Sequence, residues 1–260
     1  MNTVIIPVDF SETSLNVARY GVKLLTVSPE TEIILYHVYD KPDAHENRME
    51  SLQKLKDELT QNRTANISLL AEGGDFITEL EKLARHRQAD LIIMGITERS
   101  LLAKVFAGSN AIKMVENKFC PVMIVPANAD YSEIKNVLLT TDLKNVVSTT
   151  PSAPIKKILS AFKARLHVMN VNSEHYIELS EDYQAEQEKL REMFADFDPE
   201  FYFLRLYDVE EAIHEFAKDK SIDLIITVHK EHSLVHKLFN AGHTKKLAYE
   251  SSVPVLAVHE

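Results

Sequence analysis

Short unbroken apolar runs alternate along this chain with longer stretches in which apolar residues recur every three or four positions. The runs are "TVIIPV", "EIILYHV", "NISLLA", "DLIIMG" and "PVMIVP", then "NVLLTT", "ARLHVMNV", "FYFLRL", "DLIITV" and "PVLAVH". Runs this short and mostly apolar along their length are those of parallel strands buried on both faces. The segment after the first run places Leu15, Ala18, Val22 and Leu25 on one helical face, behind a cap at Ser11 or Thr13. Residues 43 to 62 and 176 to 194 are charged and helix-prone, and supply the crossover to the third strand of each set. Asp75 and Asp208 stand at cap positions, the second with Glu211 three residues on. Pro151 and Pro154 make the corresponding helix of the second set begin later. The pattern predicts an α/β fold: two tandem doubly wound five-stranded parallel sheets, whose ligands lie beyond the carboxyl ends of the strands.

The two sets are copies. At a constant shift of 133 residues the chain matches itself without gaps: Val4, Asp9 and Val38 fall on Val137, Asp142 and Val171, and Asp75, Ala84 and Asp90 on Asp208, Ala217 and Asp223. Glu98, Ser100, Lys104 and Phe106 fall on Glu231, Ser233, Lys237 and Phe239, and Pro121 and Val125 on Pro254 and Val258. This gives a first domain over 1–127, a polar linker over 128–135 and a second domain over 136–260. Each last strand, "PVMIVP" or "PVLAVH", would leave an apolar sheet edge open, so the two domains are expected to pair through them.

A length of 260 residues suits two domains, and 45% hydrophobic residues is enough for a core in each. The formal charge of −10 argues against a general attraction to nucleic acid or to an anionic membrane. No apolar run approaches the roughly eighteen residues of a membrane span. The opening "MNTVIIPVDF" reads as a strand, not a secretion signal, and the single cysteine, Cys120, cannot form an internal disulfide. A cytoplasmic protein is expected.

The stretch "IMGITERSLLAKVFAGSN", residues 93 to 110, has Gly95 near one end and Gly108-Ser109 at the other. Backbone amides of such a loop, with the helix start beyond it, cradle phosphates. Together with "IIPVDFSE" ending strand one, "MG" ending strand four and the closing "CPVMIVP", it resembles the universal stress protein family, and the repeat resembles the tandem form of that family. The likeness spans essentially the whole chain. ATP-binding members resemble one another in a G-x2-G-x9-G-[ST] pattern, which Gly95, Gly108 and Ser109 match and Glu98 does not. The resemblance implies an adenine nucleotide, ATP or AMP with Mg²⁺, in the first half, held by Val8, Asp9, Val38, Met94, Gly95, Ile96, Gly108, Ser109 and Asn110. By the same resemblance Asp9 and main-chain groups at Val38 hold the adenosine part. In the second half Asp142 and Val171 remain, but Val228, Glu231, Ala241 and Gly242 occupy the motif positions, so no nucleotide is expected there.

Glu98 bears directly on that site. A carboxylate about 5 Å from one phosphate charge, at an effective dielectric near 20, costs roughly 3 kcal/mol, or about two hundred-fold in affinity. Its match with Glu231 favours a structural reading: Thr97 caps a short helix, Glu98 sits in its first turn, and Leu101, Leu102, Val105 and Phe106 line one face. The function expected is that of a stress-linked regulatory or scaffold protein with unidentified protein partners. Two alternatives stand beside it. One is slow ATP hydrolysis in the first half, for which only Asp9 and Glu98 offer acid-base groups. The other is metal binding by His229, His232 and His236, which lack both a cysteine and the H-E-x-x-H order of a hydrolytic zinc site. No G-x-S-x-G elbow, Rossmann fingerprint or G-x-x-x-x-G-K-[ST] loop occurs, and Cys120 reads as a core or edge residue.

Overall fold

A computed structural model describes residues 1–40, 45–96, 110–127, 129, 131, 133–170, 181–203, 209–229 and 253–260. The chain divides into two compact units, Met1–Ser132 and Glu133–Glu260.

In the first unit the strands are β1 (Thr3–Pro7), β2 (Glu32–Tyr39), β3 (Asn66–Gly73), β4 (Leu91–Ile96) and β5 (Val122–Pro126), in the order β3-β2-β1-β4-β5 and all parallel. The order reverses between β1 and β4, which is where a doubly wound sheet opens a crevice. Strands covered on both faces have no polar side, and β1 and β5 are buried at every position. Helix α1 (Glu12–Leu25) starts at Ser11, whose side chain accepts from Ser14 N, so Ser11 rather than Thr13 is the cap. It buries Val17, Ala18, Val22 and Leu25, while Leu15 is only half-buried. The crossover helix α2 (His45–Thr60) comes after β2, and α3 (Phe76–Arg87) starts at Asp75, which accepts from Thr78 N as a cap. A short helix, α4 (Asn110–Glu116), precedes β5.

The second unit repeats the plan with β6 (Asn136–Thr141), β7 (Arg165–Asn170), β8 (Glu200–Phe203), β9 (Leu224–His229) and β10 (Val255–His259), ordered β8-β7-β6-β9-β10 and parallel. Where α1 would begin, a four-residue helix, α5 (Val146–Thr149), ends at Thr150, and α6 (Ser152–Phe162) starts beyond it. The proline pair thus interrupts the helix and delays its second part, for want of an N–H at Pro151 and Pro154. The crossover is α7 (Glu181–Met193), and α8 (Val209–Asp219) precedes β9.

The repeat is visible in bonds as well as in letters. Thr3 N donates to Asp90 Oδ2 and Asn136 N to Asp223 Oδ2, so one aspartate ties the chain entering each first strand. Gln88 and Ser221, at matched positions, both adopt positive φ, 49° in each case. The constant shift fails at one strand. Ile34 pairs with Ser68, but its counterpart His167 pairs with Glu200, one residue short of the shift. The gapless sequence match therefore hides a one-residue slip of the third strand. That strand lies at the far end of the order from β4, where least packing fixes its register.

Candidate functional site in the first unit

The site begins where β1 ends. Val8 N still donates to Tyr36 O at 2.7 Å, and then Phe10 turns the chain with φ 62°. A left-handed conformation costs a bulky residue roughly 1 kcal/mol, so neighbours must hold it. His37 does so from β2: its Nδ1 lies 2.6 Å from Val8 O, and its ring packs on Phe10 with centroids 4.9 Å apart. On the other side Asp9 Oδ1 accepts from Ser11 N at 2.9 Å, and Asp9 N donates to Ser14 Oγ at 3.3 Å. Partial burial pushes the Asp9 carboxyl up, but the hydrogen bonds from Ser11 and Ser14 outweigh it and hold the group below its ordinary range. Asp9 is therefore an anion at neutral pH, a strong acceptor for hydroxyl or amine donors and a poor neighbour for phosphate.

This turn forms one wall of a cleft of about 370 Å³. Val8 and Asp9 just beyond β1, Val38 from β2, Met94, Gly95 and Ile96 from β4, and Asn110 at the start of α4 all line it. Four separate segments thus bring seven of the expected residues together at the carboxyl ends of the strands. Gly108, Ser109 and Glu98 lie outside the described residues, as does the expected helix capped by Thr97. The size falls in the range of small-molecule sites, roughly 300 to 1,000 Å³. Ser11, Thr13, Ser14 and Phe76 also line the cleft, and the sequence alone does not assign them to it. For the three hydroxyl residues the signal is "SETS", two residues past Asp9, which reads equally well as helix capping, and Phe76 has no such signal.

The structure gives Gly95 a different reason for being glycine. A Cβ at this position would stand 2.7 Å from Thr13 Cγ2 and 2.9 Å from Val17 Cγ2, both on α1. Close approach of helix to strand requires the glycine whether or not a ligand comes near. Its counterpart Val228 belongs to a unit in which that helix is broken at Thr150 and Pro151.

The second unit keeps the turn, with Leu143 at φ 51° and Asp142 Oδ1 accepting from Lys144 N at 3.2 Å. Val171, Glu231, Ala241 and Gly242 lie outside the described residues. His229 ends β9, while His232 and His236 are also outside them, and among the described residues no group of three or more His, Cys, Asp or Glu is arranged to hold a metal. Cys120 is buried with its thiol 3.2 Å from Ala89 O, and burial pushes it up to about 12, which suits a core residue and not a nucleophile. No described helix is long and apolar enough to cross a membrane.

Comparison with known proteins bears on the whole chain. A universal stress protein of Methanocaldococcus jannaschii is 26% identical over 136 residues, covering 47% of this chain and 80% of that one. The crystal structure of a universal stress protein from Archaeoglobus fulgidus superposes with a TM-score of 0.71 at 17% identity, covering 99% of this chain and 98% of that one. A putative universal stress protein from Pseudomonas aeruginosa superposes at 0.61 and 14% identity, with 100% and 93% covered. At such identities the structural likeness speaks for the fold alone. The profile of the universal stress protein family matches residues 1–126 and again 156–259, so this chain, with its two copies of one α/β unit, belongs to the universal stress protein family.

Proposed function

We propose that the chain is a cytoplasmic, stress-linked regulatory or scaffold protein whose first half holds an adenine nucleotide and whose second half does not. The observation that carries this reading is the cleft beside Asp9, into which four distant segments bring the described candidate residues. Asp9, ionised and exposed, accepts from the ribose hydroxyls, and the main chain at Val38 reads the adenine edge. Gly95, Gly108, Ser109 and Asn110 approach the phosphates, with Mg²⁺ offsetting the charge of Glu98. Nucleotide occupancy then becomes the signal that a protein partner reads.

Mass spectrometry of the protein purified without added ligand and then denatured tests this. Adenine nucleotide near one per chain is the expected result. Its absence, combined with no thermal shift on adding millimolar ATP and Mg²⁺, overturns the reading.

A further inference from the structure

A second cleft, of about 210 Å³, lies elsewhere on the first unit, between the outer face of α1, the end of α2 and the segment beyond β5. Arg19 and Lys23 face it from α1, Arg63 from just beyond α2, and Tyr131 from the segment after β5. Three described residues there are held against the unit: Asn16 Nδ2 donates to Ala127 O at 3.2 Å, Ala129 is buried, and Tyr131 meets the edge of Tyr20 at 6.1 Å.

The charges in this cleft do not balance. Glu58 binds Arg19 through Nε at 2.7 Å, and the Lys23 ammonium rests 4.1 Å from the centre of the Tyr131 ring. Arg63 has no hydrogen-bond or ion-pair partner for its guanidinium among the described residues. Three cations thus share one small cleft with one carboxylate, in a chain whose formal charge is −10. The second unit treats two of these positions differently. At the constant shift Lys23 and Arg63 fall on Lys156 and Asp196, each pair having its second member three residues past the crossover helix, and Lys156 lies 3.9 Å from Asp196. One half carries an ion pair at these positions and the other carries two like charges facing a cavity. Like charges held together cost free energy that a bound anion returns.

We propose that this cleft binds a small oxyanion of the phosphate class, free or as the monoester of a small molecule. Arg63 and the terminal N–H groups of Arg19 form its donor fork, Lys23 adds charge from one turn further along α1, and Tyr20 and Tyr131 supply an apolar side for an attached group. The volume suits such an ion with a small substituent. This site is independent of the cleft beside Asp9.

The test is calorimetric titration of the full chain with inorganic phosphate and with phenyl phosphate at fixed ionic strength, repeated on three variants. Arg63→Asp installs the charge of the second unit and should weaken binding by at least about tenfold. Lys23→Gln should weaken it likewise, while Arg63→Lys should retain most of it. Rising NaCl should weaken the wild type throughout. Phenyl phosphate binding more tightly identifies a monoester, and equal affinities identify the free ion. Failure of both probes to bind saturably overturns the proposal. So does binding that Arg63→Asp leaves unchanged, which assigns the anion to another place; both altered side chains are exposed, and thermal unfolding checks that the variants fold.

Discussion

Each half ends its first strand in the same turn, and the surroundings of that turn differ. Asp9 and Asp142 both accept from the backbone N–H two residues on, and Phe10 and Leu143 both take left-handed φ. In the first unit α1 starts at once, runs for 14 residues and leaves a cleft beside Asp9. In the second unit Asn145 adds another left-handed residue, α5 lasts only one turn, and Glu186 of α7 accepts from Val146 N at 2.7 Å. A helix start offers unpaired N–H groups to an anion, and here the protein's own carboxylate takes one of them. Tyr183, also on α7, is pushed up to about 12 by burial and then by the nearby Asp142 charge. The aspartate kept in both halves therefore reports the turn. Room for a ligand depends on the helix that starts behind it.

The most disruptive way to break this contrast is to give the first half the valine of the second. Gly95→Val drives a side chain into Thr13 and Val17, two stiff side chains on a helix that is unbroken here. The expected cost is about 3 kcal/mol in the stability of the first unit, measured by urea unfolding. The reverse change, Val228→Gly, should cost about 1 to 2 kcal/mol through lost burial and added chain entropy. Equal and small effects would show that α1 can retreat from β4, and that the close approach is not what fixes the glycine.

Removing the carboxylate from the 97–109 stretch sharpens the contrast in affinity. Glu98→Gly should strengthen ATP binding by up to roughly 3 kcal/mol, AMP less and adenosine hardly at all, because only the phosphates feel the charge. Glu231→Gly should do nothing comparable, since Val228 stands at the matching glycine position. Calorimetry with the three ligands measures it. Unchanged affinities in Glu98→Gly would remove Glu98 as the obstacle.

A subtler probe is the turn itself. Asn keeps the acceptor that Ser11 N and Lys144 N require, so Asp9→Asn and Asp142→Asn should both fold with little loss. Only Asp9→Asn should weaken adenosine, by about 1 to 2 kcal/mol, the difference between a charged and a neutral acceptor. The Asp9 carboxyl is held below its ordinary value, so it contributes stability that is present above about pH 4 and is lost as the pH falls through its folded value. In Asp9→Asn that acid-side loss should shrink, read from thermal unfolding as the pH is lowered below about 4.

Much of this is legible in the letters, for physical reasons. Ten apolar runs too short for helices dictate ten strands, and Asp75 announces its cap because a side-chain acceptor before an amphipathic run has few other uses, whereas the choice of Ser11 over Thr13 needs the structure. The slip at β8 is invisible there, since a one-residue change of register alters pairing but not composition. The reason for Gly95 is equally hidden: a phosphate loop and a tight helix–strand contact both demand glycine, and only the placement of Thr13 and Val17 separates them. The excess of cations around Arg19, Lys23 and Arg63 is beyond sequence reading, because periodicity does not bring Arg63 to the face of α1 that carries the other two.

The smallest effect concerns a histidine that only the second half contains. His167 stands on β7 where the first half has Ile34, buried with neither ring nitrogen hydrogen-bonded, and Glu200 Oε2 4.0 Å away is too far to accept. Burial holds the imidazole below its ordinary value of 6.5, more than the attraction of Glu200 raises it, and Lys220 and Arg165 add to the lowering. Between the folded and the ordinary value the unfolded chain binds the extra proton and the folded chain does not. Stability from the neutral ring is thus fully present above about pH 6.5 and is lost as the pH falls through the folded value. His167→Ile restores the residue of the first half, removes two buried unpaired nitrogens and should stabilise the second unit by about 1 kcal/mol at neutral pH. The gain should widen as the solution is acidified below pH 6.5, because only the wild type carries the proton-linked loss. Urea unfolding of the full chain at a series of pH values measures both. A gain that stays constant with pH would mean that protonated His167 finds Glu200 after a small movement, and that the second half has built a working ion pair where the first half has only apolar packing.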